Sequence, residues 1–297
     1  MSHGRAVWVM VTAALLWSIA GVVARHLQAA QGFEVTFWRS AGNAVSLVVL
    51  LAWLRGGGTL WRAVRHGGRT LWLSGLCWSV MFTAFMMAIT LTTVANVLVT
   101  MAISPLLTAL LAWVALGHRL PVRTWGAIVA AGAGIAWMYA GELRTGDARH
   151  WAGIGVALGV PVAAAINWTL LQHEKARSGD GPGTDYMPAV LIGATLSALF
   201  TLGPSLPFDA TPRDIAMLST LGLVQLAIPC LMAVAAARVL SAPEMALLGL
   251  LEVIFGVLWA WLGAGETPAA AVLVGGALVL GALVANELLG VRARRLG

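Results

Sequence analysis

A carboxylate lies in the middle of a stretch of sequence that is long and apolar enough to cross a membrane. The stretch runs from Ala242 to Glu266, and Glu252 lies near its middle. A charged group at that depth is costly, and such groups usually face a protein-lined cavity on a substrate or proton path. Glu252 is therefore a candidate for substrate binding and for proton or cation coupling. The alternative is a structural carboxyl group that hydrogen-bonds a neighbouring helix, and the sequence favours neither.

A second acidic residue, Glu244, lies about two helical turns before Glu252 and about 80° away from it around a helix. The two carboxylates can line one wall, with Glu244 at the cytoplasmic mouth as a second ion-coupling candidate. A carboxylate directly after Pro243 also complements the dipole at a helix N terminus. We favour this structural role for Glu244.

Polar residues inside other apolar segments extend the candidate substrate site. Asn96, Thr100 and Ser104 recur at every fourth position and form one stripe on a helix. Such a stripe either lines a cavity or bonds a neighbouring helix, and the proline that follows it favours the lining. Gln225 and Asn167 lie within two further apolar segments and complete this set.

Aromatic residues deep in the apolar segments are candidates for contact with a ligand. Trp78, Phe82 and Phe85 share one helix face, a pattern that is more typical of ordinary packing than of a ligand site. Together with Trp17 and Trp168 they would favour flat apolar or cationic ligands through stacking and cation–π contacts.

Arg39 is a basic residue about two helical turns inside an apolar segment. Its planar guanidinium suits a substrate carboxylate or phosphate. A long side chain near a span end can also extend to the membrane surface. We predict a structural ion pair between Arg39 and Glu34.

Composition places these residues in a membrane protein with many spans. Of the 297 residues, 60% are hydrophobic and 10% are charged, whereas a soluble protein has roughly 25% charged residues. Helices are the structure that lipid permits here, at about 20 residues per crossing. We predict an all-α polytopic protein with ten transmembrane helices at residues 6–24, 33–54, 71–90, 94–116, 122–140, 151–172, 186–203, 214–237, 242–263 and 268–289.

The basic residues predict the orientation of these spans. Most of the 18 Lys and Arg residues lie in alternate connections between spans, together with both termini. Both termini are therefore predicted in the cytoplasm, with the chain in the cell inner membrane. Because the net charge of +6 follows from topology, no nucleic-acid partner is needed to explain it. Cys77 and Cys230 both fall inside spans and are read as buried thiols.

The two halves of the chain repeat each other. Aligned in one register, Trp113 matches Trp261 and Gly117 matches Gly265. We therefore divide the chain into repeats at residues 1–146 and 147–297. Since each repeat has five spans, an odd number, the second inserts from the opposite face, and such inverted repeats favour alternating access around a midplane site.

These motifs resemble the EamA-type transporters of the drug/metabolite transporter superfamily. The resemblance rests on the following segments, in this order: Trp17-Ser18, Phe37-Trp38-Arg39, Ile103-Ser104-Pro105-Leu106, Leu251-Glu252-Val253-Ile254 and Leu262-Gly263-Ala264-Gly265-Glu266. It implies that helices one, three, four, six, eight and nine surround a central cavity. Val253 stands where the family often has proline, so span nine is expected to lack the kink that Pro105 gives span four. His118 replaces a glutamate of the family pattern.

The function expected from this reading is secondary transport. The chain has no phosphate-binding loop and no metal-ligand motif, so we expect no cofactor, no metal and no enzymatic activity. The expected partners are a small-molecule substrate and the lipid bilayer, with the chain a monomer or a homodimer. We expect export of small organic metabolites, amino acids or drug-like compounds. The alternatives are a flippase for lipid-linked or amphipathic molecules and an intramembrane enzyme acting on lipid headgroups.

Overall fold

Helices make up almost the whole of the described chain. The computed structural model describes residues 1–116, 121–140, 147–178, 186–236, 239–240 and 248–296. Within these ranges 86% of the residues are helical and no strand is present. Glu244 and His118 lie outside the described residues.

Fourteen α-helices are described, several of which are two parts of one predicted span. Their bounds are α1 His3–Trp17, α2 Ala20–Ala24, α3 Gly32–Arg55, α4 Gly57–Arg65, α5 Arg69–Leu91, α6 Val94–Met101, α7 Ser104–Leu116, α8 Val122–Ala140, α9 Ala148–Ser178, α10 Met187–Leu202, α11 Pro212–Leu221, α12 Ile228–Ala236, α13 Leu251–Ala264 and α14 Ala270–Leu296. A π-helical turn, Gly222–Ala227, joins α11 to α12.

The chain is a polytopic all-α membrane protein. Eight helical segments of the described chain are long and apolar enough to cross a membrane: His3–Ala24, Gly32–Arg55, Arg69–Leu91, Val94–Leu111, Ala148–Leu170, Met187–Ser205, Pro212–Ala233 and Ala270–Gly290. The predicted fifth span is the helix α8. The predicted ninth span contains the shorter apolar helix α13. Ten spans in two inverted repeats stay a prediction.

The spans pack against partners that are distant in the sequence. Helix α5 packs against α9 and α10, α8 against α14, and α3 against α10 and α11. Helix α1 packs against α12 and α13, and α6 packs against α9 and α13. The predicted fourth and ninth spans are therefore neighbours, as a shared site between them requires.

Glycine brings α3 and the π-helical turn into backbone contact. A β carbon at Gly222 would lie 2.5 Å from the Arg39 carbonyl oxygen, closer than any real side chain allows. Because apolar side chains gain nothing from leaving lipid, helix association in membranes depends on such close packing. This contact sets the distance between Arg39 and the residues of the turn.

A buried carboxylate anchors the connection between α2 and α3. The Asp214 carboxylate accepts hydrogen bonds from the backbone N–H groups of Gln28, Ala29 and Ala30 at 2.8, 2.9 and 3.1 Å. The Thr211 side chain accepts from the Asp214 N–H, and Asp214 accepts in return from the Thr211 N–H, which closes a capping box at the start of α11. One carboxylate thus connects the first and eighth predicted spans.

We expect Asp214→Asn to lower the free energy of unfolding by about 3 kcal/mol, since it weakens several charge-assisted hydrogen bonds and directs an amide donor at backbone donors. Thermal unfolding of the purified protein in detergent measures the loss. Asp209→Asn is the matched control, because Asp209 is exposed. Equal unfolding temperatures for the two variants would contradict the anchoring role.

Candidate functional site

Three predicted spans are interrupted in their interiors. Helix α1 ends at Trp17 and α2 begins at Ala20, while α6 ends at Met101 and α7 begins at Ser104. Pro105 explains the second break, because it lacks an N–H and its ring clashes with the carbonyl group four residues earlier. Interrupted spans expose backbone groups at membrane depth, where they are found lining binding sites.

The third interruption lies directly before Glu252, where the sequence predicted a continuous helix. Helix α13 begins at Leu251, and Leu250 forms a turn. The Leu250 carbonyl accepts from the N–H groups of Val253 at 3.1 Å and Ile254 at 3.4 Å. The sequence did not predict this turn, which forms without a proline. As a result, Glu252 lies in the first turn of a new helix.

Glu252 is partly accessible, although it comes from the middle of an apolar stretch. Its helix α13 packs against α1, α2 and α6, which are parts of two other interrupted spans. None of the described residues forms a hydrogen bond with its side chain. The carboxylate thus has no structural bond there and is available to a proton, a cation or a substrate.

Arg39 does not pair with Glu34. Its guanidinium is fully buried, and it donates through Nη1 to Gln225 Oε1 at 3.1 Å and through Nη2 to the Phe82 carbonyl at 2.7 Å. Its Cζ atom lies 5.6 Å from the centre of the Phe85 ring.

The predicted Arg39–Glu34 pair fails for a geometric reason. Five positions along a helix turn a side chain by about 140°, so the two residues face different neighbours. Glu34 instead accepts from the Trp38 indole N–H at 3.2 Å and from the Ala210 N–H at 2.9 Å.

Gln225 connects Arg39 to the first interrupted span. It lies in the π-helical turn Gly222–Ala227, a distortion that is frequent at functional sites. Its Nε2 donates to the Trp17 carbonyl at 3.1 Å, at the end of α1. A buried network of Arg39, Gln225 and the Trp17 carbonyl therefore lies beside the interruption.

Four of the predicted aromatic residues lie close together. The Trp78 ring centre is 5.4 Å from that of Phe82 and 6.4 Å from that of Trp168. Trp17 packs on the same hydrophobic cluster as Phe82 and Cys230. Phe82 is buried, whereas Trp168 is 49% exposed. Trp17 and Trp78 are partly accessible.

The predicted polar residues divide by their burial. Asn167 is fully buried, and its Oδ1 accepts from the Ser74 hydroxyl at 2.6 Å, which bonds α9 to α5. Asn96 and Thr100 are also buried, and the Thr100 hydroxyl donates to the Asn96 carbonyl at 2.7 Å. Ser104, beyond the interruption, is partly accessible. The stripe is therefore buried before the break between α6 and α7 and partly accessible after it.

A cluster of charged and backbone groups, which we call the latch, joins four helices. Arg25 Nε donates to Glu266 Oε2 at 3.2 Å, and Arg25 Nη2 donates to the Thr92 carbonyl at 2.9 Å. Glu266 Oε1 accepts from the Val94 N–H at 2.7 Å, the first residue of α6, where a carboxylate is favoured by the helix dipole. Arg25, Glu266, Thr92 and Val94 thus tie the ends of α2, α5 and α13 to the start of α6.

Close packing continues inward from the latch. A β carbon at Gly21 would lie 2.5 Å from Val94 Cγ1, and one at Gly256 would clash with Leu98. Helices α2, α6 and α13 are therefore in close contact next to the latch.

Sequence reasoning missed the latch and the partners of Arg39. The sequence feature that could have pointed to Arg25 is that it is one of the few basic residues predicted on the side of the membrane opposite the termini. Glu266 was noted only as part of a family motif. Among the described residues, no three His, Cys, Asp or Glu side chains come together as metal ligands.

Comparison with known proteins agrees with the fold. The chain is similar to a protein of known crystal structure, with a TM-score of 0.61, 20% identity and 99% of each chain covered. No curated protein matches the chain. The model of the EamA-like transporter family matches residues 4–140, which hold the Trp17 and Pro105 motifs and Arg39. Residues 4–140 thus belong to the EamA-like transporter family.

Proposed function

We propose that this chain is a secondary transporter of the inner membrane that exports small organic metabolites, amino acids or drug-like compounds by alternating access. The observation that carries this proposal is the position of Glu252. It follows a helix interruption, is partly accessible, and has no hydrogen-bond partner among the described residues. Its helix packs against α1, and the partly accessible rings of Trp17 and Trp78 would contact the substrate.

Matched contacts between helices support two inverted repeats at residues 1–146 and 147–297. In such a repeat, spans one, three and four correspond to spans six, eight and nine. Replacing each helix by its counterpart in the other repeat turns the contact of α5 with α9 into that of α12 with α1. It also turns the contact of α7 with α9 into that of α13 with α1. Both members of each pair are present, as a pseudo-two-fold arrangement requires.

The latch supports a conformation that is closed toward the exterior. The latch lies at the end of α2, across the bilayer from the start of α1. With both termini in the cytoplasm, as the basic loops indicate, it faces the outside of the cell. Substrate would enter from the cytoplasm, and opening of the latch would release it. Protonation of Glu252 is the proposed coupling step.

The proposal predicts a substrate-dependent difference between cells with and without the gene. Compounds that accumulate in the medium only in cells expressing the chain are the candidate substrates. Purified protein in proteoliposomes should then drive counterflow of those compounds, compared with liposomes without protein. Absence of both signals would contradict the proposal, and movement of labelled lipid between leaflets instead would favour the flippase alternative.

A further inference from the structure

We infer that Arg39 and Gln225 are positioning residues: they hold the Trp17 carbonyl, and with it the interrupted end of α1, at the substrate site. The inference rests on the proposed function for its consequence in transport. Its structural part rests on the hydrogen bonds from Arg39 to Gln225 and from Gln225 to Trp17.

Arg39 determines which way the Gln225 amide points. A guanidinium has five N–H donors and no acceptor, so it bonds only the oxygen of the amide. The nitrogen of Gln225 must then face the opposite side, where the Trp17 carbonyl lies 3.1 Å away. Without Arg39, both amide orientations would be open to Gln225.

The Trp17 carbonyl needs a donor from outside its own helix. It belongs to the last turn of α1, and the last four carbonyl groups of a helix have no partner within that helix. A buried carbonyl without a partner is costly in lipid. Gln225 Nε2 supplies the missing donor and so determines where α1 ends.

Packing makes this connection rigid. Gly222 brings the π-helical turn against the backbone of Arg39, and the Phe82 carbonyl and Phe85 ring hold the guanidinium from the other side. No carboxylate of the described residues pairs with Arg39. A buried charge without an opposite charge is costly, so a residue that served packing alone would be better as an apolar side chain. The Arg39 guanidinium instead supplies the hydrogen bonds to Gln225 and to the Phe82 carbonyl.

Gln225→Glu separates the two contacts of this side chain. A glutamate still accepts from Arg39, now as an ion pair, but it has no N–H for the Trp17 carbonyl. We expect the variant to fold, with KM for counterflow raised about fivefold, the effect of one lost hydrogen bond. The maximal rate should change less than KM.

A thiol reports the position of Trp17 independently of transport. The Trp17 ring contacts Cys230, which is only 3% exposed. In a Cys77→Ala background, we expect Gln225→Glu to raise the rate of Cys230 labelling by a small maleimide about fivefold, as Trp17 loses its anchor. Asn286→Asp is the matched control, because it makes the same amide-to-carboxylate change while its oxygen still accepts from Thr124.

The outcomes distinguish this inference from the proposed function. Wild-type labelling and wild-type KM in Gln225→Glu would overturn the inference while transport by the wild type stands. Absence of counterflow in the wild type would contradict the proposed function. Labelling of Cys230 would still test the positioning role. If Gln225→Glu fails to fold, Arg39→Met gives the same test, since it frees the amide to turn, and wild-type labelling there would also overturn the inference.

Discussion

Glu252→Gln is expected to uncouple transport from the proton gradient and to lower the gradient-driven rate roughly tenfold, in the range of typical coupling between two bound ligands. Glutamine keeps the size and polarity of the side chain but cannot take up or release a proton. Counterflow, which needs no net proton movement, should persist with a changed KM. The measurement is uptake into proteoliposomes with and without an imposed pH gradient.

Two controls define what this result means. Glu252→Asp keeps a carboxylate in the first turn of α13 and should retain gradient dependence. Asp209→Asn removes an exposed carboxylate far from the interruptions and should behave as the wild type. Gradient-driven transport by Glu252→Gln with an unchanged pH dependence would rule out the coupling role and leave a structural or substrate-binding carboxyl group.

Glu266→Gln is expected to shift the chain toward a conformation that is open on the latch side. The substitution removes the charge that pairs with Arg25 and weakens the hydrogen bond from the Val94 N–H. Both groups are partly exposed, so solvent screening limits the ion pair, and we expect a shift of about fivefold in the population. Leu98→Cys, in a chain without Cys77 and Cys230, reports this shift, because Leu98 is buried beneath the latch. Its labelling by a membrane-impermeant reagent from outside should rise.

A double-mutant cycle tests whether the two charges act as a pair. If they do, Arg25→Gln combined with Glu266→Gln should open the latch side by less than the sum of the two single changes. Arg149→Gln is the charge control on the same face, since Arg149 donates to the Thr90 carbonyl and has no bond to Glu266. Simple addition of the two effects would show that the two charges act independently. Unchanged labelling in Glu266→Gln would show that packing alone holds this face closed.

These two experiments also separate the alternatives for the function. In a lipid flippase, Glu266→Gln would still raise the labelling of Leu98→Cys, but transport would not depend on a soluble substrate. An intramembrane enzyme would need its acidic group for turnover, and neither opening of the latch nor a pH gradient would drive its reaction. Transport of a soluble substrate that depends on both Glu252 and the latch is specific to coupled alternating access.

The sequence by itself indicated a helical membrane protein and a resemblance to the EamA-type transporters. Hydropathy is a property of local segments, and a helix is the form in which an apolar segment satisfies its backbone in lipid. For the same reason Glu252 was recognisable, since one carboxylate in an apolar stretch needs no partner to be noticed. The grouping of Trp78 with Phe82 followed from helical spacing alone.

Only the tertiary structure decided which groups meet. Arg25 and Glu266 are separated by 241 positions in the chain, and Arg39 and Gln225 by 186. Spans that are apolar on most faces carry little periodic signal for their rotation about their own axes, so the sequence indicated Glu34 for Arg39. The interruption at Leu250 was likewise hidden, because no proline marks the turn in the sequence. Contacts between helices therefore determine the latch, the hydrogen bonds from Arg39 through Gln225 to Trp17, and the environment of Glu252.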